Sequence, residues 1–291
     1  MITLVQAWTR ARDRLKAAGV DSPVIDARLL VEAATGAVRA DLLADPHRPL
    51  ADAQLEALEG LMERRARREP MSHILGRKGF WSLMLKVTPD VLTPRPETEL
   101  LVDLALEAFP PTARFSVLDL GVGSGAILLA ILAERPGARG LGIDISEEAL
   151  AVARDNAASL DLAGRAAFLR GDWTAGLAEG GFDLVVANPP YIPSGEIAGL
   201  EPEVREHEPL IALDGGPDGL GPYRRLAPEI LRMLKPGGRF AVEVGEGQAP
   251  AVSALFGRAG AADVGTRNDL AGRMRVVLGT KSPLGIAPDN R

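Results

Sequence analysis

The run Val117-Leu118-Asp119-Leu120-Gly121-Val122-Gly123-Ser124-Gly125-Ala126 begins as an apolar strand and breaks into glycine at every second position before a helix starts. Glycine lets a backbone turn tightly and approach a ligand with no side chain between them. Outward from this run the pattern alternates. Apolar segments fall at about 115–120, 139–143, 166–170, 182–187 and 239–244, with a last one near 273–278. Helical segments fill 125–134, 146–159, 219–234 and 248–259. Alternating strands and helices predict an α/β fold, a mostly parallel doubly wound sheet with helices on both faces. Such sheets take their ligands beyond the carboxyl ends of the strands.

The residues at those ends are polar. The glycine run also satisfies G-x-G-x-x-A, so by itself it fits a dinucleotide site or an S-adenosylmethionine site. Asp144 ends the second strand, 19 residues past Gly125, where a carboxylate accepts two ribose hydroxyls in either class. Asp172-Trp173 follows the third strand, an acceptor for an adenine amino group beside a ring able to flank the base. Asp119 stands just before the glycines, where a cationic α-amino group is welcome and a pyrophosphate is not. Each aspartate alone reads as an ordinary strand-end residue. Three together favour S-adenosylmethionine over NAD. The expected cofactor contacts are Asp119, Gly121, Val122, Gly123, Ser124, Gly125, Asp144, Asp172, Trp173 and Asn188.

The fourth strand runs into Asn188-Pro189-Pro190-Tyr191. Two prolines remove two N–H donors, fix two φ angles and push the residue before each out of the helical region. This stiff corner suits a planar NH2 group as substrate. The Asn188 oxygen and the Pro189 carbonyl accept its two hydrogens, and Tyr191 covers its face. Asn188, Pro189 and Tyr191 are the expected catalytic residues, and Asn188, Pro189, Pro190 and Tyr191 the substrate contacts. The four residues alone also fit a common turn.

Residues 1–76 read as a small all-α domain with no catalytic constellation, a substrate-recognition domain by expectation. Thr3 caps its first helix and Gly19 closes it; Ser22-Pro23 opens a second, ended by Gly36; a turn lies at 41–43, and a longer helix runs from about Asp52 to Arg68. Arg64, Arg65, Arg67 and Arg68 at its end read as a solvated face or as a dock for an acidic partner. Residues 77–94 are the linker, where period-two alternation from Gly79 to Val91 predicts a β-hairpin and Pro89-Asp90 a turn. Residues 95–291 form the larger domain, entered through Thr93-Pro94-Arg95-Pro96-Glu97-Thr98-Glu99, a stiff polar segment suited to a pocket wall. At 291 residues two domains are natural. The absence of cysteine excludes disulfides and thiolate chemistry, and His47, His73 and His207 are too scattered for a metal site, so no metal is expected. No apolar run reaches a membrane span, and no signal peptide opens the chain. A net charge of −6 argues against gripping nucleic acid through its phosphates. A cytoplasmic, monomeric enzyme is the simple expectation.

Residues 115 to 279 resemble a seven-stranded class I methyltransferase domain, Rossmann-like in fold. Asn188-Pro189-Pro190-Tyr191 matches the motif of amino-methyltransferases that act on planar NH2 groups of adenine, guanine or glutamine. With Pro94-Arg95-Pro96-Glu97-Thr98-Glu99, Asp172-Trp173 and the helical N-terminal region, nearly the whole chain resembles the HemK/PrmC family of release factor N5-glutamine methyltransferases. Val122 stands where the family's loop usually has Thr, a backbone-contact position that tolerates the change. The resemblance implies S-adenosylmethionine as cofactor. It implies as substrate the glutamine of the Gly-Gly-Gln motif in class I peptide chain release factors. A ribosomal-protein glutamine or a nucleic-acid base are alternative acceptors for the same four residues.

Overall fold

The computed structural model describes residues 1–283; the last residues of the expected 95–291 domain lie outside them. The chain divides into two compact units. One is Met1–Gly76 together with Glu201–His207; the other is Arg77–Leu200 and the chain from Glu208 on.

The first unit packs α1 (Leu4–Ala17), α2 (Pro23–Thr35), α3 (Asp41–Ala44), α4 (Asp52–Ala66) and α5 (Met71–Leu75). Leu4, Ala7, Ala11 and Leu15 recur at helical spacing and bury the inner face of α1 against Leu30, Leu58 and Met62. The α1 cap differs from expectation. The Gln6 side chain accepts the Thr3 N–H at 3.0 Å, while the Thr3 hydroxyl has no partner. α4 stops two residues early because Arg68 is left-handed, with φ +65°. Its arginines are spent inside the unit. Arg65, buried, reaches Asp26 at 2.7 Å and Glu203 at 2.9 Å; Arg68 reaches Glu203 at 2.6 Å; Arg64 pairs with Glu69 and Arg67 with Glu63. Glu203 belongs to α9 (Pro202–Arg205), a segment far downstream in the chain.

In the second unit β1 (Arg77–Phe80) and β2 (Leu83–Lys86) form the hairpin. Its reversal is at Trp81-Ser82, with Trp81 at φ +54°, and Pro89-Asp90 makes a separate turn after it. Phe80 and Leu85 bury into the core of this unit, so the hairpin is more than a tether. Then come α6 (Glu99–Ala108), β3 (Ser116–Leu120), α7 (Ala126–Glu134), β4 (Arg139–Asp144), α8 (Glu147–Ser159), β5 (Ala166–Arg170) and β6 (Phe182–Ala187). After α9 in the chain follow α10 (Gly221–Met233), β7 (Leu234–Glu243), α11 (Ala249–Arg258), β8 (Ala261–Asn268) and β9 (Met274–Lys281).

The seven strands lie in the order β5-β4-β3-β6-β7-β9-β8, parallel except that β9 runs against both its neighbours. Period two sorts their side chains into two cores. Val117, Leu184, Val186, Ala241 and Val276 face α6, α7 and α8, while Leu118, Val185, Ala187, Val242 and Val277 face α10 and α11. Burial on both faces is why these strands read as mostly apolar runs, with Asp119 the buried exception in β3. β8 was not among the expected strands. It is a half-exposed edge with a register shift and Asp263 at φ +52°, so neither an apolar run nor clean alternation marks it. The order reverses between β3 and β6, and a crevice opens there at their carboxyl ends.

Candidate active site

That crevice is a cavity of about 340 Å³, within the range of about 300–1,000 Å³ usual for ligand pockets. Gly121, Val122, Gly123, Ser124, Asp144, Asp172, Trp173, Asn188 and Pro190 line it. Asp119, Gly125, Pro189 and Tyr191 do not.

The loop after β3 is set by its own backbone. Gly121, Gly123 and Gly125 have φ of +74°, +52° and +85°, values that side chains rarely adopt. The N–H groups of Gly121 and Val122 both donate to the Ile143 carbonyl at 2.9 Å, which ties the turn to β4. Asp144 completes the cradle. Its Oδ2 accepts the Gly123 N–H at 2.9 Å and its Oδ1 the Ser146 N–H at 3.0 Å. Each oxygen keeps a further lone pair for a ligand hydroxyl. Buried Asn156 holds the loop from behind, its Nδ2 donating to the carbonyls of Ser124 at 2.8 Å and Lys86 at 3.1 Å.

Asp119 lies beneath the loop and is fully buried. Burial pushes its carboxyl up to about 7; the Leu128 N–H, donating to Oδ2 at 3.2 Å, pulls the other way, and the Asp144 charge adds to the rise. Its Oδ1 has no partner. Asp119, expected as a cofactor contact, sits buried beneath the loop and off the cavity lining. Trp173, at φ +55°, lays its ring in van der Waals range of the Gly121 backbone. Asp172 is held at the rim by Arg225, whose Nη1 lies 2.9 Å from both oxygens.

At the end of β6, Asn188 enters the cavity wall and its Nδ2 donates to Thr98 Oγ1 at 3.2 Å. Pro190 lines the cavity beside it. Tyr191, expected over the substrate amide, lies off the cavity lining: its ring passes close to Gly245 and its carbonyl accepts from Gln248 Nε2 at 2.8 Å, which braces the corner. Burial, reinforced by Glu243, raises the Tyr191 hydroxyl to about 12. The Thr93–Glu99 segment does contribute a wall, through Pro94, Arg95 and Thr98. Arg95 is clamped to the buried Glu208 at 2.6 Å.

Residues 6–76 match the family described as PrmC N-terminal domain, and residues 112–259 match the methyltransferase domain family. The release factor glutamine methyltransferase of Caulobacter vibrioides is 65% identical over 97% of this chain and 98% of its own. The chain belongs to the release factor glutamine methyltransferase family. The protein of the same name from Rhodospirillum rubrum is 48% identical over 99% of this chain and 88% of its own. A methyltransferase structure from Pyrococcus furiosus shares the fold, with a TM-score of 0.53 at 18% identity, covering 76% of this chain and 98% of that one. As a member of this family the chain is an S-adenosylmethionine-dependent methyltransferase. Its residues fit that cofactor: the Asp144 oxygens keep lone pairs for ribose hydroxyls, and the carboxyl of Asp119 beneath the loop, with one oxygen unpartnered, suits a cationic amino acid end.

Thr98, Asn156, Glu208 and Glu243 are site-building residues that the sequence reading did not single out. Thr98 had a signal, since it sits inside the proline-flanked segment. Glu243 had only its place at the end of a strand. Among the described residues no helix is long and apolar enough to cross a membrane.

Proposed function

We propose that this methyltransferase modifies the side-chain amide nitrogen of the glutamine in the Gly-Gly-Gln motif of class I release factors, in the cytoplasm. The observation that carries this reading is Asn188, an amide on the cavity wall beside the glycine loop, with its NH2 already engaged by Thr98. The names of the relatives support the substrate.

When bound, the cofactor supplies a methyl group on a sulfonium, whose departure leaves a neutral thioether. The chain's residues do the rest. The glycine loop and Asp144 hold the nucleoside end. Asn188 Oδ1 faces outward because Nδ2 is tied back, and accepts one N–H of the substrate amide. Pro189, rigid between Asn188 and Pro190, offers its carbonyl to the other. An amide nitrogen is a poor nucleophile because its lone pair is shared with its carbonyl. Two acceptors on its hydrogens orient the lone pair and stabilise positive charge growing on nitrogen as the S–CH3 bond breaks and the N–CH3 bond forms; the surplus N–H proton then leaves to solvent. The helical unit binds the protein substrate in this reading, and the chain acts as a monomer without direct nucleic-acid contact.

Radiolabelled methyl transfer to a purified class I release factor, with ribosomal protein and DNA as competing acceptors, tests the proposal. Label confined to the release factor glutamine is the expected result. Label on the ribosomal protein or DNA at equal rates would overturn it.

A further inference from the structure

Asn188 is the terminus of a buried polar chain. Thr98 Oγ1 donates to Glu243 Oε2 at 2.6 Å, and Asn188 Nδ2 donates to Thr98 Oγ1 at 3.2 Å. Glu243 and Thr98 are buried, at 2% and 4% exposure, so neither satisfies its polar atoms in solvent. The sheet brings the ends together: Ala187 pairs with Val242, so Asn188 and Glu243 each stand one residue past a matched pair on neighbouring parallel strands.

The donors and acceptors leave one arrangement. An ionised carboxylate only accepts, so the single proton of Thr98 goes to Glu243. Toward Asn188 the Thr98 oxygen then only accepts, which requires the Asn188 NH2 on that side. The amide is planar, so Oδ1 points away from Thr98. We propose that Glu243, acting through Thr98, is the positioning residue that fixes which way the Asn188 amide faces and so makes the cavity wall an acceptor for a substrate NH2.

The inference rests on the role given to Asn188 above and adds a proton-dependent element to it. Protonated Glu243 becomes a donor to Thr98. The Thr98 proton is then free to turn toward Asn188, which answers with Oδ1 and swings its NH2 toward the cavity. Two NH2 groups facing one another cannot bond, and the site loses its acceptor. The charged and titratable groups around Glu243 are Arg275 and Arg95, which favour its ionised form, and Glu97, which opposes it; the rings of Tyr191 and Tyr223 lie close, and the Tyr223 hydroxyl donates to the Glu243 backbone carbonyl at 2.8 Å. Burial outweighs the Thr98 hydrogen bond and the two arginines and lifts the carboxyl to about 7, inside the working range of an enzyme.

The test is single-turnover methyl transfer to a purified class I release factor at saturating S-adenosylmethionine, from pH 5.5 to 8.5, with cofactor affinity measured by calorimetry. Wild type should lose rate as pH falls through about 7. Thr98→Val should cut the rate at pH 8 by on the order of tenfold, with cofactor affinity unchanged, because the amide is free to choose either face. Thr98→Ser, which restores the hydroxyl, should recover most of it. Glu243→Gln puts an NH2 donor where a protonated carboxyl would have one. It should hold the slow, low-pH rate at every pH and so lose the acid limb. A folded Thr98→Val enzyme at the wild-type rate, or an unchanged acid limb in Glu243→Gln, would overturn the inference. If Thr98→Val is normal while Asn188→Ala is slow, the relay alone is refuted. If Asn188→Ala is itself normal, the role of Asn188 falls and the relay with it.

Discussion

Asn188→Ala removes the acceptor placed at the cavity wall and leaves the rest of the cradle standing. The proposed cofactor contacts on the glycine loop, Asp144 and Trp173 lie outside the Asn188 corner, so cofactor affinity should stay within a few-fold. The loss should appear in the chemical step. Removing one oriented partner from a developing charge costs on the order of 100- to 1,000-fold, about 3–4 kcal/mol. Asn188→Asp separates geometry from charge. It keeps an acceptor facing the substrate and places a second carboxyl no more than about 6 Å from Glu243, the limit set by the 3.2 and 2.6 Å hydrogen bonds that meet at Thr98. At an effective dielectric near 20 that repulsion is about 3 kcal/mol, or about two pKa units for the pair. The Asp variant should therefore outpace the Ala variant in methyl transfer while melting earlier than wild type above pH 7, and the melting deficit should shrink toward pH 6. The assay is rapid-quench transfer of labelled methyl, with Tm measured in parallel. Ala at wild-type turnover would refute the reasoning. So would an Ala variant that loses cofactor binding and rate together, because the corner would then be a folding element only.

S-Adenosylmethionine, and not NAD, should raise Tm, and Asp144→Ala should lose most of that rise because the Gly123 and Ser146 N–H groups lose their anchor; an unchanged rise would remove Asp144 from the site. Ligand-free stability should fall between pH 4.5 and 7. Asp119 and Glu243, ordinarily at 3.8 and 4.5, are both raised to about 7, so the folded state holds their protons more tightly and the stability they add disappears as pH climbs through that window, by up to a few kcal/mol. Glu69 and Glu203, lowered, act below the ordinary carboxylate range instead and do not mask it; a Tm that rises steadily across the window, and is unaltered in its slope by Glu243→Gln, would contradict this assignment. Arg65→Ala leaves the buried Asp26 and its neighbour Glu203 without their common cation and should cost about 3–5 kcal/mol in urea unfolding at pH 7; a cost under about 1 kcal/mol would show that the triad adds nothing.

The sheet was legible in the amino-acid order because strands buried on both faces are apolar nearly throughout, as Leu184–Ala187 is and as Val117–Leu120 is apart from Asp119. The cofactor loop was legible for a local reason as well: positive φ at three alternate residues calls for glycine at each, and the signal lies within a few positions. Asn188 was legible because two prolines isolate it. β8 was not, since an edge strand with a bulge needs only half a buried face. The direction of Tyr191 was set by Gly245 and Gln248, more than fifty residues on. α9 packs with the helical unit through Arg65 and Arg68, at separations of 138 and 135 residues. The bond that orients the Asn188 amide joins Thr98 to Glu243 across 145 residues. Local sequence determines what each segment can form, because dihedral preference and hydrophobic period act over a few residues. Which buried donor meets which acceptor was decided only when the parallel register placed the end of β7 beside the end of β6, since a hydrogen bond reaches about 3 Å.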